Sequence, residues 1–268
     1  MSRKAPVIPT GLARALSKSG YCSRSDARNL IAEGRVRLNG QPALDPERPV
    51  ALGTDTIQVD GRSLVSANKV YLMLNKPRGI VTTARDERGR PTVYSFLPKD
   101  APWVAPVGRL DKASEGLLLL TNDSAWAARI ASPENHMEKT YHVQIATVAQ
   151  QVLLDQLIAG RTTEDGDFLR VKRATIIRSG KKNSWLEILL DEGKNRHIRR
   201  LLGALGTEVL RLVRVAIGRL QLGDLGKGAV RSLTREEKAA LSVEFAAKWM
   251  SADEYKKRSA KAYSRVIG

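Results

Sequence analysis

The run Leu117-Leu118-Leu119-Leu120 constrains the fold more than any other stretch of the chain. Four adjacent apolar residues with no polar member suit a strand buried on both faces or a piece of buried helix. The shortness of the run, and the brackets Gly116 and Asn122-Asp123, favour a strand. Directly before it lies a polar loop, Val107-Gly108-Arg109-Leu110-Asp111-Lys112-Ala113-Ser114. Asp111 is therefore placed at the edge of a buried sheet, where reactive groups are common. Taken alone, an Arg-x-Asp triplet is more often a turn whose carboxylate pairs with Arg109 or Lys112. The rest of the chain has to decide between the two.

Size permits one large domain or a small one beside a medium one: the chain has 268 residues, 42% of them hydrophobic. Its formal charge of +17 speaks about partners, with nucleic acid and anionic membrane the main candidates. No run reaches the ~20 apolar residues of a membrane span, and Met1-Ser2-Arg3-Lys4-Ala5-Pro6 leads into no signal-peptide stretch. The single Cys22 cannot form an internal disulfide, which fits a reducing cytoplasm. His136, His142 and His197 show no metal-ligand spacing. Cytoplasmic nucleic-acid binding is the reading that survives.

Residues 1–9 hold Pro6 and Pro9 without periodicity and read as a mobile basic leader. Leu12, Ala13 and Leu16 recur at helical spacing, closed by Gly20. Ser23, with Asp26 three residues on, opens a second helix whose stripe is Ala27, Leu30 and Ile31. Arg24 and Arg28 share a face of it, away from that stripe. In Arg35–Gly40, Val36 and Leu38 face one side of a strand and Arg35 and Arg37 the other, before an Asn39-Gly40 tight turn. Thr56–Gly61 repeats the strand-and-turn pattern. Arg24, Arg28, Arg35 and Arg37 then form a surface able to follow phosphates, a merely solvated basic face being the alternative.

Gly20–Arg28 followed by Leu30–Gly40 resembles the alpha-L RNA-binding domain, a module that docks on structured RNA. The similarity covers roughly residues 10–62.

A polar connector, Ser63–Lys69, leads to a strand at Val70–Lys76, broken by Pro77-Arg78-Gly79 and resumed at Ile80–Thr83. Ala84–Pro91 is charged and reads as a flexible basic loop. Beyond the leucine run, the pattern predicts a helix at Ala125–Ala131 and a strand at Lys139–Ile145. A second helix is keyed by Val152, Leu153, Leu157 and Ile158, and strands follow at Ala174–Arg178 and Trp185–Leu190. A further helix spans Ile198–Leu205, with β-type segments at Val209–Ile217 and Arg219–Leu225 and a capped helix from Thr234. The tail 248–268 is basic and reads as a loosely attached extension touching RNA.

Four pieces then bear on the Asp111 loop: Gly108-Arg109-Leu110-Asp111, Glu138-Lys139-Thr140-Tyr141, the cluster Glu192–Arg200, and Leu210–Gly218. In this order, behind the basic module, they resemble the RsuA-type branch of pseudouridine synthases. The resemblance runs from residue 10 to about 240. It implies isomerisation of a uridine in ribosomal RNA: N1–C1′ breaks, the uracil turns, and C5 bonds to C1′. It implies Asp111 as the catalytic carboxylate and Arg199 as its basic partner, Arg196 and Arg200 being alternatives. A neighbouring guanidinium favours the ionised form of a carboxylate. Tyr141 matches the tyrosine lying against the target base, and Leu212 an apolar residue packing beside it. Arg109 matches a residue that fills the space left by a flipped-out uridine. Lys76 and Asn75 recur in the family as structural or RNA-contacting residues. His197 departs from the pattern, standing where glutamine is expected, although both side chains donate a hydrogen bond.

The expectation is thus an α+β protein. An alpha-L domain (residues 1–64) precedes a catalytic domain (69–240) with a mixed, largely antiparallel sheet and a central cleft, and a basic tail (241–268) follows. No cofactor or metal is expected. The partner is ribosomal RNA or a ribosomal precursor particle, large-subunit RNA being favoured, and the protein is a cytoplasmic monomer. The alternatives are small-subunit RNA and a non-catalytic assembly factor that only binds RNA.

Overall fold

A computed structural model describes residues 9–65 and 67–241, so the leader up to residue 8 and the tail lie outside the described residues. The chain separates into two compact units. Of the described residues, one comprises those up to Tyr71 with Leu97–Pro106 and Leu120–Ala125; the other comprises Leu72–Phe96, Val107–Leu119 and those from Trp126 to Leu241.

In the first unit, α1 (Leu12–Lys18) and α2 (Arg24–Ala32) pack with the short strands β1 (Val36–Leu38) and β2 (Ile57–Val59). Leu12, Leu16, Ala27, Ile31, Val36 and Val59 meet in one core. The cap of α2 forms as the sequence indicates, Asp26 N donating to Ser23 Oγ at 3.0 Å. β1 and β2 pair antiparallel, and each ends in a turn with positive φ at two successive residues, Asn39-Gly40 and Asp60-Gly61. The polar bracket after the leucine run does more than turn the chain. Asn122 Oδ1 accepts from Val70 N at 2.8 Å and Asn122 Nδ2 donates to Asn68 O at 3.0 Å, which ties down the connector.

The second unit is built on a mixed sheet. Its strands are β3 (Tyr71–Lys76), β4 (Glu115–Thr121), β5 (Lys139–Ile145), β6 (Arg173–Ser179), β7 (Ser184–Leu190), β8 (Val209–Ile217) and β9 (Val230–Ser232). They lie in the order β6-β7-β5-β8-β4-β3-β9. Pairing is antiparallel from β6 through β8 and between β3 and β9, while β8 and β4 run parallel. Three helices accompany it: α3 (Ser124–Ala131), α4 (Gln151–Ala159) and α5 (His197–Ala204). Leu154 and Leu157 of α4 and Ile198, Leu201 and Leu202 of α5 cover inward residues of β5, β7 and β8. Leu117–Leu120 are all fully buried, as a double-faced strand requires. Each such leucine contributes ~2 kcal/mol by area, an upper figure because the unfolded chain also buries surface.

Two expectations are corrected. Ile80–Thr83 forms no strand, only a single bridge from Val81 to Thr92, because Thr82 turns its hydroxyl to Leu110 instead. The buried face of α4 is Leu154 and Leu157, with Leu153 packed against the core, while Val152 and Ile158 are exposed; adjacent apolar residues at 152–154 and 157–158 allow more than one helical stripe.

Candidate active site

The loop carrying Asp111 has a backbone with almost no freedom left. Thr82 Oγ1 donates to Leu110 O at 2.7 Å. Asp111 O accepts from Lys76 Nζ at 3.1 Å and from Ser114 N at 3.0 Å. Gly79 N donates to Lys112 O at 2.7 Å, Arg199 Nη2 to Ala113 O at 3.0 Å, and Lys76 Nζ to Ser114 O at 2.8 Å. Five consecutive carbonyls are thus held by donors. A polar loop at the edge of a buried sheet has to satisfy its backbone this way. The Asp111 carboxylate, in contrast, accepts no hydrogen bond from any described residue and lines a cleft.

Lys76 is the centre of that arrangement. Its side chain is fully buried, and its ammonium donates to the carbonyls of Pro77, Asp111 and Ser114. Burial pushes its pKa down to about 8, with Asp111 and Glu115 opposing and Arg214 adding to the fall. Its two family readings are thereby separated: Lys76 is a structural residue, out of reach of RNA.

Two residues beyond Ser114, Gly116 sits beside β8. Its φ is +101°, and a Cβ there would lie 2.2 Å from Arg214 O. Only glycine permits this approach. The neighbouring Glu115 is buried and bonded by Arg211 at 3.0 Å and Lys227 at 2.9 Å. Burial raises its pKa, but the hydrogen bonds from the two cations outweigh this and hold it below the ordinary value.

The cleft has a volume of about 430 Å³. Arg109, Asp111 and Ser114 line one side, Lys139 and Tyr141 of β5 and Leu212 and Arg214 of β8 another, and Glu192–Ile198 a third. Tyr141 and Arg214 are directly opposed across β5 and β8, at a register shift between Thr140 and Tyr141. Such bulges re-aim side chains beside functional sites. Arg109 and Asp111 also border a second cleft of about 440 Å³, walled by residues of the 81–90 segment. That segment is not an open basic loop: Arg90 binds the Asp86 carboxylate through Nε and Nη2.

The family follows from direct comparison. Residues 70–204 match the RNA pseudouridylate synthase family and residues 10–57 the S4 domain. The ribosomal large subunit pseudouridine synthase B of Bacillus subtilis is 35% identical over 227 residues, 84% of this chain and 93% of that protein. The chain belongs to the RNA pseudouridine synthases. An uncharacterized RNA pseudouridine synthase of Aquifex aeolicus is 40% identical over 228 residues, 84% of this chain and 91% of the relative. A solved crystal structure of a pseudouridylate synthase aligns with a TM-score of 0.61 at 30% identity, over 87% of this chain and 99% of that one. The synthase is accordingly an RNA-acting isomerase with an N-terminal S4 domain.

The structure brings Asp111, Arg109, Tyr141 and Leu212 to one cleft. Arg199 is nearby but differs from its expected geometry. It makes no ion pair with Asp111 among the described residues; Nη1 donates to Val209 O and Nη2 to Ala113 O, both at 3.0 Å. It supports the Asp111 loop through the backbone and reaches the carboxylate only through its field. Burial, with Arg196 and Arg78 nearby, lowers the pKa of Arg199. Of the two alternatives, Arg196 lines the cleft, whereas Arg200 is engaged by Asp165 and Asp167. His197 takes up the hydrogen bond expected of its position, Nε2 donating to Arg170 O at 2.9 Å. Its pKa is lowered by burial.

Arg24, Arg28, Arg35 and Arg37 are all exposed on the first unit, but two are paired with carboxylates. Arg28 pairs with Glu47 at 3.0 Å, and Arg35 forks onto Asp60 at 2.8 and 2.7 Å while also meeting Glu33. Sequence reasoning assigned no role to Lys139 and Arg214, although both stand inside quoted motifs. A signal was present: residues two apart share a strand face, so Lys139 goes with Tyr141 and Arg214 with Leu212.

Proposed function

We propose that the synthase isomerises one uridine of large-subunit ribosomal RNA, with Asp111 as the reacting carboxylate. The observation that carries this reading is the contrast within one loop: five carbonyls tied back, one carboxylate left without a donor, facing Tyr141 across a cleft. An ionisable group held without a partner on a clamped backbone is pre-organised to meet a substrate atom. Tyr141 offers a flat face to the uracil and a hydroxyl for the proton shift at C5. Leu212 packs beside the base, and Arg109, exposed at the rim, replaces the uridine in the RNA stack once it is extruded. Arg199 orients the loop.

The preference for the large subunit draws on the name of the Bacillus subtilis relative. Arg24, Arg28, Arg35 and Arg37 of the first unit hold the RNA backbone. The synthase works as a monomer in the cytoplasm, on ribosomal RNA or a precursor particle, with boundaries near residues 64 and 240. No described helix is long and apolar enough to cross a membrane.

Asp111→Asn tests the chemistry. Conversion of the target uridine should fall by more than about 10³-fold with RNA binding retained. Persistent conversion would sink the assignment. Mapping pseudouridines in total RNA from cells with and without the gene names the target, and a missing small-subunit site would reverse the subunit preference.

A further inference from the structure

Arg214 is 4% exposed and lines the cleft, yet it has no acidic partner among the described residues. Its Nε is anchored on Leu117 O at 2.7 Å. Neither terminal nitrogen has a partner there, and Nη2 is a buried orphan. A buried guanidinium N–H without an acceptor loses its hydration and gains nothing in return, so the fold carries a penalty at this point. Lys139 is the second cation on the same wall. Its Nζ donates to the Met137 carbonyl at 2.8 Å. Burial and the nearby Arg214 push its pKa down to about 8, with Asp191 opposing. Ser114, 2% exposed and also on the cleft, has an orphaned hydroxyl as well. The acid lining the cleft besides Asp111 is Glu192, which faces His197 at 3.7 Å. A buried arginine beside a half-buried lysine, next to Tyr141 on the same wall and with no carboxylate partner among the described residues, is a site for an anion that arrives during the reaction.

We propose that Arg214 and Lys139 stabilise the detached uracil as its anion. When N1–C1′ breaks, the electron pair leaves with the base, and the negative charge spreads over N1, O2 and O4. In a dry cleft such a charge needs fixed positive groups, and these act where charge develops rather than on the neutral substrate. The base then turns, C5 uses its electrons to bond C1′, C5 loses its proton and N1 gains one, so composition is unchanged. An anion between the two cations also restores the charged form of Lys139 that burial disfavours.

This rests on the reading that the Asp111 cleft holds the reacting uridine, so Asp111→Asn is run alongside. The probe is a mixture of large- and small-subunit ribosomal RNA transcripts, made with either uridine or 4-thiouridine, which keeps the C5 proton. The readout is single-turnover appearance of the C-linked nucleoside after digestion. Arg214→Met should slow conversion of uridine by about 10²-fold or more and shift half-saturation by RNA less than about threefold. With 4-thiouridine the loss should shrink to about tenfold, because the sulfur at C4 itself spreads the charge of the leaving base. Arg214→Lys should be intermediate. Lys139→Met, which leaves the Leu117 anchor intact, should show the same substrate dependence and carries the test if Arg214→Met fails to fold. Equal losses on both RNAs, or a defect in RNA affinity alone, would overturn the proposal. Full conversion by Asp111→Asn would instead remove the site reading beneath it.

Discussion

The two units use cationic side chains in opposite ways. In the first unit, Arg28 and Arg35 stand in solvent and meet Glu47, Asp60 and Glu33. In the second, Lys76, Arg199 and Arg214 are turned inward, and they donate to carbonyl oxygens. An exposed ion pair is weakened by water and contributes little to stability. A buried cation on carbonyls carries its charge in a poor solvent for charge, at the cost of a lowered pKa for Lys76 and Arg199, and so it both fixes backbone and shapes the field of the cleft. The outer arginines are replaceable contact points, while the inner ones hold the site together.

The sharpest way to break the inner arrangement is Gly116→Ala. A Cβ 2.2 Å from Arg214 O, at φ +101°, cannot be absorbed by a flexible side chain. The expected loss is more than about 4 kcal/mol in urea unfolding, enough to leave little folded protein. A near-wild-type midpoint would show that β4 and β8 do not meet as described.

Lys76→Met comes next. It keeps most of the buried volume but strips the ammonium from three carbonyls. Stability should fall by roughly 2 kcal/mol. Single-turnover conversion should fall by about 10²-fold with RNA affinity unchanged, since the loop would no longer present Asp111 accurately. An unaltered rate would separate the clamp from catalysis.

A pH series gives a smaller and signed effect. Lys76 and Lys139 are held at about 8 in the folded protein, against an ordinary 10.5. Between these values the folded state binds fewer protons than the unfolded one, so their contribution to stability rises with pH through that window. Below it, both states are protonated and the penalty of burying the charges is carried in full. The stability difference, wild type minus Lys76→Met, should therefore grow from about pH 7.5 to about pH 9.5. A flat difference would mean that the ammonium is not perturbed by burial.

The smallest effects belong to the outer surface. Arg24, unpartnered among the described residues, should lower the salt dependence of RNA binding by about one unit when changed to alanine. Asp60→Asn, which releases Arg35 from its fork, should tighten RNA binding by about threefold at low salt. If both variants leave the salt series unchanged, this face does not touch RNA. Thermal midpoints should hardly move in either case.

Much of this was legible from local pattern. β5 and β8 were delimited correctly as Lys139–Ile145 and Val209–Ile217, because apolar alternation and the flanking Gly218 are local signals. The Ser23 cap and the Thr234 capping box, with Thr234 N donating to Glu237 Oε2 at 2.9 Å, were likewise readable three residues at a time. The stripe of α4 is not fixed locally, because Val152, Leu153, Leu154, Leu157 and Ile158 are all apolar and allow more than one helical face. Arg199 was assigned as a direct partner of Asp111, since charge in a motif says nothing about which acceptor the guanidinium finds first.

By itself, the order of residues determined a buried leucine strand, a basic RNA-docking module ahead of it, and one carboxylate at the strand's edge. These depend on apolar period, turn residues and charge, which act over a few neighbours. Only the tertiary structure decided how that carboxylate is held. Lys76 reaches Ser114 38 residues later, and Arg199 reaches Ala113 86 residues earlier. The parallel register of β4 and β8 that sets Arg214 against Gly116 is also a choice among strands distant in the chain. Carbonyls buried at a sheet edge must find donors, and which donors arrive is settled by packing of the whole unit rather than by any local rule.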